Sequence, residues 1–206
     1  MNRIPWWAVG SATAAPVVLG VGLTLAQSRQ PSGYDPIRDT ISALASHGAA
    51  DRWVMTSALA GLGVCHIITA AGLRPARASG RMVFAGGGVA TVMVAVFAQP
   101  AHGSSRAHTA AATVALTALA VWPLFAARRG LGAPLLTRPV SAAASVVLLG
   151  LVTWFAADLH GGLRGLAERV AVGAEALWPL AVVITTRRAG SVDIGRPRPK
   201  AVRAGS

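Results

Sequence analysis

Charge is scarce in this chain. Only 13% of its 206 residues are Asp, Glu, Lys or Arg, against about 25% in an ordinary soluble domain. With 53% hydrophobic residues and a mean hydropathy of +0.55, a water-soluble fold would leave a very large apolar surface exposed. This excludes an ordinary cytosolic enzyme, and it excludes disorder, which needs the opposite balance. A single cysteine, Cys65, rules out an intramolecular disulfide framework and any cysteine-built zinc or iron–sulfur centre. Gly-x-Ser-x-Gly and Ser-x-x-Lys are absent, so Ser42, Ser46, Ser104 and Ser105 lack the setting of the known serine nucleophiles. No Walker A or Rossmann fingerprint is present either. Gly86-Gly87-Gly88 lies inside an apolar run, not after a strand.

What the chain does have is long apolar runs. A helix needs about 20 predominantly apolar residues to cross a hydrocarbon core. Six runs qualify: Trp6 to Ala26, Trp53 to Leu73, Met82 to Ala98, Thr109 to Ala127, Val140 to Ala157 and Val170 to Thr186. They are Ala-, Leu- and Gly-rich and too long for strands. The expected fold is therefore an all-α, polytopic bundle of six transmembrane helices over residues 1–186. A basic tail of residues 187–206 should be disordered and cytoplasmic. Arg3 followed by an apolar run also resembles a signal peptide, but 21 uncharged residues exceed the usual h-region. A retained anchor is the expectation.

The formal net charge of +12 suggests nucleic acid until its distribution is read. With the N-terminus placed in the cytoplasm, thirteen of the nineteen basic residues fall inside and six outside; of the seven acids, only Asp193 falls inside. Such sidedness is topology. It leaves no soluble basic face for nucleic acid, and it puts both termini in the cytoplasm. Eighteen of the basic residues are arginine, and Ala and Gly abound, as in chains from GC-rich bacterial genomes. The expected location is a bacterial plasma (inner) membrane, and the expected partner is its lipid bilayer. Trp6, Trp7, Trp53, Trp122 and Trp154 fall at or near predicted membrane boundaries, as amphipathic rings prefer. Trp178 falls mid-span and reads as packing.

The longest outer loop runs from about Gln27 to Arg52. Pro31, Gly33 and Pro36 break it early; then Asp39 to Ala45 reads as a short Asp-capped helix with Ile37, Ile41 and Leu44 on its apolar side. Val121-Trp122-Pro123-Leu124 and Leu177-Trp178-Pro179-Leu180 echo one another, and proline within a span favours a kink.

Most polar chemistry falls on the outer side. His47, His102, His108 and His160 lie there with six acids and six arginines, and convergent titratable groups over an apolar bundle mark a default site. Candidate ligand contacts are Asp35, Arg38, Asp39, Ser42, His108, Glu168, Arg169 and Glu175. Arginine offers bidentate bonds to an anionic headgroup, and the favoured reading is binding or passage of a small or lipid ligand, anionic among the options, at an outward-facing polar mouth. Glu175 lies five residues into the sixth span, where an ionised group is costly. It should find a partner, foremost an outer Arg or His, or stay protonated, and it reads either as a proton-coupling or ligand-binding carboxylate or as a buried interhelical clamp. His66, beside Cys65, reads as a neutral histidine bonded across helices or as a proton relay.

An enzyme reading remains beside these. His102, His108, Asp158 and His160 are the candidate zinc ligands of a metal-assisted hydrolase acting on outer-leaflet lipid. Their spacing does not signal a metal site, and His-x-x-x-His pairs are absent. A third reading is a scaffold without a ligand. The balance favours a protein that is not an enzyme and holds no cofactor.

Tyr34-Asp35-Pro36-Ile37-Arg38-Asp39-Thr40-Ile41-Ser42-Ala43-Leu44 resembles the first outer loop of bacterial membrane proteins of the domain-of-unknown-function 998 family. Gly48-Ala49-Ala50-Asp51-Arg52-Trp53, the His102 to His108 segment, and Gly165-Leu166-Ala167-Glu168-Arg169 leading to Glu175 and Trp178 are similar to it as well. The likeness covers nearly the whole chain except the basic tail. It implies six spans and a polar outer mouth, and it names no substrate.

Overall fold

A computed structural model describes residues 4–128 and 133–192. The described residues are all-α: α1 (Trp6–Gln27), α2 (Ile41–Leu44), α3 (Trp53–Gly72), α4 (Ala78–Val96), α5 (Arg106–Ala126), a 3-10 turn (Pro134–Leu136), α6 (Arg138–Ala157) and α7 (Arg164–Val192). Every one except α2 and the 3-10 turn is long and apolar enough to cross a membrane, which makes six candidate spans. Large apolar side chains cover their outer faces; Val146 is 70% exposed and Met82 74%. So large an apolar exterior suits a bilayer and not water.

The helices reach further than their apolar runs. α4 starts at Ala78, α5 at Arg106, α6 at Arg138 and α7 at Arg164, because polar first turns extend each helix beyond its hydrophobic stretch. α7 likewise continues through Arg187 and Arg188 to Val192, past the expected start of the tail. The rest of that tail, residues 193–206, lies outside the described residues.

Each long helix packs on its neighbours in the chain, and α7 returns to α1. The result is a closed ring in the order α1, α3, α4, α5, α6, α7. Small residues permit the tightest approach. A Cβ on Gly63 of α3 would lie 2.5 Å from the Gly88 oxygen of α4, and one on Gly88 would lie 2.7 Å from the Gly63 oxygen. Ser11 of α1 and Thr69 of α3 share a buried hydrogen bond of 2.8 Å. At the far end, Arg81 donates to the Ala70 and Ala71 oxygens at 2.8 and 2.7 Å, which satisfies carbonyls at the C-terminus of α3 and complements its dipole.

Three sequence expectations change at this level. Thr40, not Asp39, caps α2, its side chain accepting from the Ala43 amide at 3.1 Å; the Asp39 carboxylate is taken by the Asp35 amide at 2.9 Å. Ile41 and Leu44 are buried as expected, but Ile37 is 47% exposed. Trp122, expected at the interface, is fully buried and stacks on Phe84 with centroids 4.7 Å apart. Trp6 and Trp53 remain exposed, at 78% and 62%.

Candidate functional site

The loops 28–52 and 97–105 and the first turn of α7 meet at one end of the ring. His47 donates its amide to the Gln99 oxygen at 2.9 Å, and Leu166 to the Ile37 oxygen at 3.0 Å. The loop from Gln27 to Arg52 folds back on itself before it crosses this end. The Asp35 carboxylate takes the Ile37 amide at 2.9 Å and stands 3.6 Å from Arg38. Arg29 pairs with Asp51 at 3.1 Å and lies over the Trp53 ring. Asp51 adopts a φ of 46°, a left-handed conformation that Asp tolerates better than bulkier residues.

Two adjacent residues of α7 fasten this loop. Arg169 donates to the Asp39 oxygen at 2.7 Å, to its own Gly165 oxygen at 2.9 Å and to the Tyr34 hydroxyl. The Gln27 amide oxygen, turned toward the guanidinium, accepts from it at 3.2 Å. Burial pushes the Tyr34 phenol up, while the Arg169 guanidinium opposes the shift. Glu168 accepts from the Ile41 amide and from the Ser42 hydroxyl, the latter at 3.1 Å. Gly165 makes the approach possible, since a Cβ there would stand 2.4 Å from the Asp39 oxygen.

Beneath α2 lies a cavity of about 270 Å³, lined by α3, α4, α5, α6 and α7, roofed by Thr40, Ile41 and Ser42 and partly open at the exposed residues Thr109, Thr113 and Leu159. α5 and α7 touch little because the cavity lies between them. Its walls are mostly apolar: Leu59, Leu62, Val94, Leu116, Val152, Phe155 and Val172 among others. No Arg or Lys lines it.

The titratable groups on its wall fall into two sets. Near the roof, Ser42 joins Glu168 to His108, whose Nε2 lies 3.1 Å from Ser42 Oγ. His108 Nδ1 lies 2.9 Å from the Phe97 oxygen. Away from this chain stand Glu175 and His66, each 1% exposed, with neither carboxylate oxygen and neither ring nitrogen hydrogen-bonded. Among the described residues Glu175 has no arginine or histidine partner, so the paired clamp, one of the two readings, is not formed there. His66 makes no bond across helices; its ring lies against Phe84, with centroids 5.2 Å apart.

The candidates named from sequence thus divide. Ser42, His108, Glu168 and Glu175 line one cavity. Asp35, Arg38, Asp39 and Arg169 shape and fasten the loop above it. His102 and His160 are exposed, and the Asp158 carboxylate is taken by the Leu163 amide at 2.7 Å. With His108 inside the cavity, these four do not gather. Among the described residues no group of three or more His, Cys, Asp or Glu is placed to hold a metal ion. Sequence reasoning missed Tyr34, the sole tyrosine, and Thr91, which lines the cavity from α4.

The stretch that builds this arrangement is shared. Residues 13–185 match the family described as protein of unknown function (DUF998). The chain belongs to the DUF998 family. The match includes every cavity-lining residue, the fastened loop and all of the six long helices in whole or in large part. No curated protein and no solved structure matches the chain.

Proposed function

We propose that this DUF998 protein binds a small amphipathic guest inside the helix ring, with an apolar body and a protonated amine as the chemical class. The observation that carries this reading is Glu175, a carboxylate with both oxygens buried and unpartnered on the wall of an apolar cavity. A buried carboxyl without hydrogen-bond partners is costly whether it is ionised or protonated. An ammonium group of a guest would supply the missing charge and donors, while the apolar walls hold its hydrocarbon. The volume far exceeds the roughly 10–15 Å³ that a single water needs on the same measure. An anionic headgroup suits the cavity less well, because no guanidinium lines it and Arg169 is committed to the loop.

The same proposal places the cavity's roofed end outward from a bacterial plasma membrane, with both termini cytoplasmic. Its support is the sequence ledger, thirteen basic residues to one side and six to the other.

The test is calorimetric binding of small apolar amines to the full chain in lipid nanodiscs, with alcohols and carboxylates of matched carbon skeleton as comparison. Amines should bind in preference, and Glu175→Gln should abolish that preference while folded yield stays intact. Equal affinity for amine, alcohol and carboxylate would overturn the reading.

A further inference from the structure

The hydrogen-bond chain under α2 is short of one hydrogen. A main-chain oxygen only accepts, so His108 Nδ1 carries a hydrogen toward Phe97. One hydrogen must then lie between His108 Nε2 and Ser42 Oγ, and another between Ser42 Oγ and Glu168 Oε1. A neutral imidazole, a serine hydroxyl and a carboxylate own two hydrogens among them, and three are required.

We infer that Glu168, Ser42 and His108 together form a binding site for a single exchangeable proton, whose occupancy holds α2 closed over the cavity. The third hydrogen completes the chain either as imidazolium with carboxylate or as imidazole with carboxylic acid. Both forms carry no net charge, which suits groups only 2% and 6% exposed at His108 and Glu168. Removing that proton leaves a buried net anion and sets the His108 lone pair against Ser42 Oγ. Water relieves both, and it enters when α2 lifts from α5 and α7.

The surrounding groups do not supply the missing hydrogen. Arg169 on α7 is directed to Asp39, Gly165 and Tyr34. Asp39 in the loop accepts from Asp35. His66 on α3 and Glu175 on α7 lack hydrogen-bond partners. Arg106, on α5 with His108, is exposed. Phe97, the residue that follows α4, reaches the chain through its main-chain oxygen; neither α4 nor α6 brings a titratable side chain to the cavity.

The proton site deepens the proposed binding function, since it governs the roofed end of the same cavity, and its test uses no guest. Ala45, 1% exposed beside α2, is replaced by cysteine in a Cys65→Ala chain in nanodiscs. Methanethiosulfonate modification is followed against pH and corrected for the reactivity of the same thiol in the unfolded chain. The corrected rate should rise about tenfold per pH unit through one transition and then level, as release of one proton requires. Glu168→Gln, whose amide donates the missing hydrogen to Ser42, should stay slow at every pH; Ser42→Ala should be fast at every pH. A flat profile in the parent chain, or an unchanged transition in Glu168→Gln, overturns the inference. The parent profile decides alone if a variant fails to fold. Should amine binding fail while the transition persists, the guest falls and the proton site stands; the reverse pair of results removes only the proton site.

Discussion

Arg169 donates to the main-chain oxygen of Asp39 at 2.7 Å, across 130 positions of sequence. A cation read from sequence as a ligand contact is spent on the chain itself, and its neighbour Glu168 grips the next turn of the same loop. One helix end thus presents an anion and a cation, side by side, to a single segment.

Arg169→Lys should release that segment. An ammonium offers a point charge where the guanidinium spans several acceptors in a fixed fork. Hydrogen bonds to charged groups contribute about 1.5–3 kcal/mol each, so a loss of about 2–4 kcal/mol is expected. Thermal unfolding in detergent and limited proteolysis within residues 28–52 measure it. Unchanged melting and cleavage would show the fork to be dispensable.

Glu175→Leu should raise stability without a guest and abolish amine binding. A buried polar group without a hydrogen-bond partner costs about 1–3 kcal/mol, and an apolar side chain of similar volume removes that cost. A structural clamp would behave in the opposite way, so the sign of the melting shift separates the two roles.

Gly88→Ala should push α3 and α4 apart. Its new Cβ would lie 2.7 Å from the Gly63 oxygen and 2.9 Å from an Ile67 side-chain carbon, and overpacking of this kind costs about 1–3 kcal/mol. Gly86→Ala, where nothing lies within 4 Å, is the matched control. Equal melting of the two variants would mean that the helices adjust freely.

Single thiols at Ser104 and Ala133, in a Cys65→Ala chain, should label from opposite sides of the membrane, Ser104 from outside. Labelling of both by one impermeant reagent from one side would remove the proposed sidedness. In the same preparations, purified without chelator, zinc should be below stoichiometric and His102→Ala and His160→Ala should leave folded yield unchanged.

The sequence made the spans legible because lipid imposes a length and polarity that any run of residues either meets or fails. Helix ends were less so: Arg106, Arg138 and Arg164 begin helices, yet as charges they read as loop. Of the site, Ser42, His108, Glu168 and Glu175 were visible as polar groups close to apolar runs. Their convergence was not, since it depends on a loop fastened 127 residues away in sequence. Periodicity carries no record of such pairings. Tyr34 went unread for the same reason, its hydroxyl having meaning only beside Arg169.

The circular order of the helices also bears on how the molecule is made. Glu168 and Glu175 both reside on α7, the helix that closes the circle against α1. Until it threads into the bilayer, a nascent chain exposes a greasy trough with the His108 imidazole but neither acid. Translation therefore delivers both carboxylates after the other walls stand, and a ribosome-arrested intermediate ending before Arg164 should be a substrate for membrane insertases and quality-control proteases.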